Sequence, residues 1–103
     1  AKEMVLTGAR WDARRALEVG LVSEVVPLAR LMEAARAMAG RVLELGPLAV
    51  RLAKRALNAS GEMPLRAGLL YESALQAITF ESEDKTEGTT AFLEKRKARF
   101  KGE

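Results

Sequence analysis

Neither cysteine nor histidine occurs among the 103 residues, and the two absences remove whole branches of chemistry. Without thiols there is no disulfide framework and no thiolate nucleophile. Without either residue there is no Cys/His zinc site and no Ser-His or Cys-His pair. Acid or base work would fall to carboxylates, Lys or Tyr. Aromatics are scarce at 5%, with one Trp, one Tyr and three Phe, and prolines number three. The glycines form neither G-x-G-x-x-G nor G-x-x-x-x-G-K-[ST], so no phosphate loop is expected. No apolar run approaches the ~20 residues a membrane helix needs, and "AKEMVLTGAR" lacks the basic, apolar, small-residue order of a secretory signal. The expectation is a cytoplasmic chain with no membrane partner.

What is present reads as a folded helical chain. Hydrophobic residues make up 49% and charged residues 30%, the balance of a globular protein rather than a disordered one. At this length a compact fold buries roughly 60–70% of its unfolded surface, so the core is small. In "WDARRALEVGLV", Asp12 is placed to cap a short helix and Gly20 to end it in the left-handed conformation. "SEVVP" predicts a few extended residues, because Val25 and Val26 are β-branched and Pro27 disfavours a helical predecessor. From Leu28 to Leu45 apolar residues recur at helical spacing. Gly46-Pro47 ends that helix and starts another, with a stripe of Ala49, Leu52, Ala53, Ala56 and Leu57. A further stripe joins Ala67, Leu70, Tyr71, Ala74 and Ile78, and a last helix is expected to open at Asp84, with Glu87 completing a capping box. Gly88, inside it, marks close packing, since an unforced helical Gly costs about 1 kcal/mol relative to Ala. The fold class is all-α, about five helices with one very short extended segment. The opening residues resemble the end of an earlier helix, and the shallow, Ala-rich stripes suit packing against further partners. Both features lead us to expect a region cut from something longer.

Charge is concentrated at one end. The first 91 residues carry 12 Lys+Arg and 12 Asp+Glu, and the last 12 carry five basic and two acidic groups, which supply the whole formal charge of +3. Two of the three phenylalanines, Phe92 and Phe100, lie there too. A helix from Asp84 to Arg99 would place Phe92, Lys95, Arg96 and Arg99 on one side. Two readings fit that face. It stacks on a base and binds phosphates, or its cations complement the helix dipole while Phe92 fills the core. A basic nucleic-acid-binding helical domain is a further alternative, opposed by the charge balance elsewhere and by the lack of a helix-turn-helix, zinc-finger or RNP pattern. No pair of glutamates is marked as converging, so no catalytic residue and no metal ligand is assigned.

Taken together, "LTGARWDARRALEVGLVSEVVP", "PLAVRLAKRALN" and "EDKTEGTTAFLEKRKARF" resemble the carboxyl-terminal part of the enoyl-CoA hydratase/isomerase family, the crotonase fold, across essentially all 103 residues. The resemblance implies a helical region that follows a β/α spiral core and drives assembly into trimers or hexamers. It implies acyl-CoA as the ligand, with coenzyme A entering as part of the substrate and no tightly bound cofactor. In the family's "AF-x-EKR" pattern the Phe and the Lys contact the adenine and phosphate part of coenzyme A, often across a subunit boundary; here these are Phe92 and Lys95. Arg96 and Arg99 are added from the expected helical geometry alone. The family's oxyanion-hole N–H groups and catalytic glutamates belong to the amino-terminal core, which this sequence does not contain. Residues 1–103 are therefore expected to be a helical subunit-contact and CoA-clamping part of a lyase of fatty acid metabolism, inactive alone. The alternative is a stand-alone helical assembly module without catalysis.

Overall fold

The structure, a computed structural model, describes residues 2–103. Among the described residues it is all-helical: α1 (Lys2–Thr7), α2 (Ala13–Glu18), a 3-10 turn (Leu28–Arg30), α3 (Leu31–Leu43), α4 (Pro47–Ser60), α5 (Leu65–Phe80) and α6 (Glu83–Leu93). The all-α expectation holds, with six helices in place of about five. Two compact units divide within α3, the first ending at Ala37 and the second running Met38–Glu103.

In the first unit, local signals set the helix ends. Asp12 Oδ1 accepts the Arg15 N–H at 2.8 Å, satisfying one of the donors that a helix start leaves without a partner. The other end of α2 closes with two crossed bonds, Leu21 N–H to Ala16 O at 2.8 Å and Gly20 N–H to Leu17 O at 3.0 Å. This is a Schellman motif, and it needs the left-handed residue that Gly20 supplies at φ 73°. Beyond it, Pro27 at ψ 143° leads into the 3-10 turn, and residues 24–27 form neither helix nor strand.

The second unit is built on an αα-hairpin of α4 and α5, with α6 packed on α5. Pro47 at the first position of α4 and Gly46 before it separate α4 from α3, as the Gly-Pro pair predicts. Its buried apolar residues are few: Leu52, Leu75 and Ala91. Along α5 the inward positions are Gly68, Tyr71, Leu75 and Thr79; Tyr71 of the expected stripe turns in, while its Leu70 and Ile78 stand 67% and 51% exposed. The reason is that the apolar arc of α5, opposite Arg66, Glu72, Ser73 and Gln76, is wide enough to hold two stripes, so spacing alone cannot choose which turns inward.

Gly20→Ala should destabilise the first unit by about 1 kcal/mol, because a Cβ is penalised in the left-handed region. Hydrogen exchange at the Leu21 amide should quicken with it. Exchange at the wild-type rate would show that this helix end does not depend on the glycine.

Candidate functional site

The aromatic and basic residues singled out by sequence all lie on α6 and the ten residues after it. Their arrangement differs from the expected helix face, because α6 stops at Leu93. Ser82, rather than Asp84, is its N-cap, its Oγ accepting the Lys85 N–H at 3.1 Å. Asp84 and Glu87 are thereby released from capping and hold the returning chain. Asp84 Oδ1 accepts the Lys101 N–H at 2.6 Å and Oδ2 the Gly102 N–H at 2.9 Å, while the Asp84 N–H donates to Glu103 O at 3.1 Å. Arg51 Nη2 donates to Gly102 O at 3.2 Å. Asp84 is buried although charged in type, and the backbone N–H groups it receives replace the water it gives up.

Glu87 makes the second fastening. Its two oxygens accept from Arg96 Nη1 at 2.6 Å and Nη2 at 2.8 Å, a bidentate fork. Oε1 also accepts the Arg99 N–H at 2.7 Å. Arg96 Nε meanwhile donates to Glu94 Oε2 at 2.6 Å. The Arg96 fork, with the Arg99 amide second, pulls the Glu87 carboxyl down from 4.5 to about 2. The same carboxylates, Glu87 first and Glu94 second, raise the Arg96 guanidinium above its ordinary value. Phe100 completes the closure: its ring lies where a Cβ on Gly88 would come within 3.2 Å and one on Gly46 within 3.7 Å. The close packing expected at Gly88 is therefore present, and the returning tail is what makes it.

The end of α6 repeats the motif that ends α2. The Arg96 N–H reaches Ala91 O at 3.0 Å and the Lys95 N–H reaches Phe92 O at 3.2 Å. At the left-handed position, where α2 has Gly20, stands Lys95 at φ 54°, the one non-glycine residue with positive φ among those described. Its side chain is exposed. Phe92, in the last turn of α6, is 82% exposed rather than in the core. All three phenylalanines, Phe80, Phe92 and Phe100, line one hollow with Gly46, Gly88 and Thr89.

The five tail cations therefore separate. Arg96 is engaged by Glu87 and Glu94, Lys97 pairs with Glu44 at 3.4 Å, and Lys101 with Glu83 at 3.7 Å. Lys95 and Arg99 head groups make no ion pair among the described residues. Phe92, Lys95, Arg96 and Arg99 are brought to one end of the unit, but a tight turn and a folded-back strap hold them there, not a shared helix face. The acidic half of the fastening, Asp84 and Glu87, escaped the sequence reading. Its only signal was two carboxylates set shortly before a basic run. Among the described residues no cluster of His, Cys, Asp and Glu could hold a metal, and no helix is long and apolar enough to cross a membrane.

Comparison with known proteins identifies relatives of the chain. The sequence model of the family described as enoyl-CoA hydratase/isomerase matches residues 1–103. The mitochondrial enoyl-CoA hydratase of Pongo abelii is 44% identical over 101 residues, covering 98% of this chain and 35% of that protein. The 2,3-dehydroadipyl-CoA hydratase of Escherichia coli K12 is 42% identical over 102 residues, covering 99% and 40%. A crystal structure of enoyl-CoA hydratase from Bacillus anthracis superposes with a TM-score of 0.94 at 41% identity, again covering 99% of this chain and 40% of the other. The chain thus spans about 40% of the length of such relatives.

Two outcomes check the fastening. Because the Glu87 carboxyl is depressed, what it adds to stability is complete above 4.5 and is lost as pH falls toward 2. An NMR titration of its carboxyl carbon should show a midpoint near 2, and a midpoint near 4.5 would mean that the Arg96 fork does not persist in solution. Separately, Lys95→Gly should stabilise the second unit by about 1 kcal/mol in denaturant unfolding, because it relieves the left-handed backbone. A loss of stability would mean that the lysine side chain itself holds the turn.

Proposed function

The chain belongs to the enoyl-CoA hydratase/isomerase family, and on that premise we propose that it is the carboxyl-terminal helical region of a hydratase subunit, supplying the coenzyme A contact and subunit contacts. The parent enzyme adds water across the double bond of an α,β-unsaturated acyl-CoA, hydroxyl to one alkene carbon and hydrogen to the other. Two relatives of this chain are hydratases of CoA thioesters by name, which supports that reaction class. Catalytic groups come from residues outside this chain, so residues 1–103 alone hydrate nothing. No tightly bound cofactor takes part.

The observation that carries the proposal is the aromatic-lined hollow beside an unpaired cation. Phe92 presents an exposed ring at the hollow, as a purine base requires for stacking. Lys95, three residues further on, projects from the surface and meets the phosphate part as a compact point charge. Arg99, four residues beyond Lys95, lines a separate hollow with Asp84 and Glu87, and Arg96 is occupied by its two carboxylates. Exposed Leu70 and Ile78, on one side of α5, support the subunit-contact half of the proposal, a homotrimer or a hexamer of paired trimers in the cytoplasm. An apolar face of this size on a helix is otherwise left in water.

In the complete subunit, Lys95→Ala should raise KM for crotonyl-CoA about tenfold, the worth of one charged hydrogen bond, with a smaller effect on kcat. An unchanged KM would remove Lys95 from the coenzyme site. Purified residues 1–103 should show no hydration of the same thioester, and measurable turnover would overturn the division of labour.

A further inference from the structure

We infer that Arg96 is a positioning residue for the coenzyme contact: gripped by Glu87 and Glu94, it imposes the left-handed turn that aims Lys95. The inference rests on the reading of Phe92 and Lys95 as coenzyme contacts and adds to it how the contact is held ready.

The argument starts from the two helix ends. The same crossed pair of bonds closes α2 and α6, yet α2 has a glycine at the left-handed position and α6 a lysine. A lysine there opposes its own Cβ, and residues held so persist only when their surroundings over-determine them. The surroundings of Lys95 do so on the downstream side. Arg96 is tethered through its backbone, N–H to Ala91 O at 3.0 Å. Its side chain is tethered as well, with Nε on Glu94 and both terminal nitrogens on Glu87. Glu87 in turn accepts the Arg99 N–H, so the strap beyond the turn is pinned by the same carboxylate. With its neighbour fixed at both levels, the Lys95 Cα–Cβ bond has one direction. A flexible lysine then loses less freedom on meeting a phosphate, which is how preorganisation improves binding. Arg96 is turned to Glu87 and Glu94 rather than to the ligand, with Nη1 also donating to Lys97 O at 3.3 Å, so its charge is matched within the strap.

The test uses the complete subunit and two substrates with one acyl group: crotonyl-CoA and crotonyl-N-acetylcysteamine, a thioester without the nucleotide. The readout is the ratio of their kcat/KM values, which reports the nucleotide contact and is insensitive to a general loss of folded enzyme. Lys95→Ala should lower the ratio about tenfold and Arg96→Met about fivefold. The double variant should be no worse than Lys95→Ala alone, since a mis-aimed lysine and an absent one lose the same contact. If Lys95→Ala leaves the ratio unchanged, the coenzyme reading itself fails and the inference falls with it. If Lys95→Ala lowers the ratio but Arg96→Met does not, or lowers both substrates in equal proportion, the coenzyme reading stands and the positioning role is overturned. Should Arg96→Met fail to fold, Arg96→Lys keeps the charge but not the fork, and its ratio decides by the same criteria.

Discussion

Two carboxylates one turn apart on α6 hold the second unit's end together. Asp84 and Glu87 face a chain that has just left the helix and is turning back, and each meets it with charge-assisted hydrogen bonds to backbone amides. Backbone amides need a partner wherever they are placed, and a non-helical strap has none of its own. The carboxylates supply partners for the Arg99, Lys101 and Gly102 amides. Phe100 can then settle against Gly88 and Gly46, and the hollow that the three phenylalanines share takes its wall from that settled ring. Apolar burial adds little beside it: among the described residues the buried hydrophobics are Leu52, Leu75 and Ala91.

Strain is placed where the chain meets its surroundings. Turning the end of α2 around a glycine costs little, whereas turning α6 around a lysine opposes local preference and is offset by the fork on Arg96. Sites of function commonly break a local rule and recover the loss nearby. Of the tail cations, three meet carboxylates, and the two without an ion pair among the described residues are Lys95, in the turn itself, and Arg99, in the strap beyond it.

How far the sequence disclosed this depends on the range of each signal. Asp12, Gly20 and Gly46-Pro47 act within one helical turn, and each marks its boundary correctly from the residue type alone. The inward face of α5 was not legible, because Leu69, Leu70, Ala74, Leu75 and Ile78 offer two apolar stripes and the choice lies with α4 and α6. The end of α6 was misread for a different reason: the residue in the glycine place is a lysine, and what stops the helix is fixed by Glu87, nine residues before the arginine it holds. Phe92 and Lys95 stood out first as part of an aromatic and basic cluster and then by resemblance to a family pattern, and the chain belongs to that family. Their disposition, a turn and a strap, is set by bonds to Asp84 and Glu87 from residues 9 to 18 positions later in the chain.

The strap is fastened mainly through its main chain, and this makes its side chains unequally accountable. Arg96 and Phe100 are held by what they are, and Gly102 sits at φ 89°, where other residues are disfavoured. Arg99 presents to Glu87, and Lys101 to Asp84, only the amide that any residue but proline carries, Lys97 and Ala98 present neither carboxylate with an amide, and the ion pairs of Lys97 and Lys101 are exposed ones of small worth. Neutral drift can therefore rewrite the basic run at alternate positions while the fastening stays shut. As far as the fastening alone is concerned, the strap's net charge is free to wander far more than its shape.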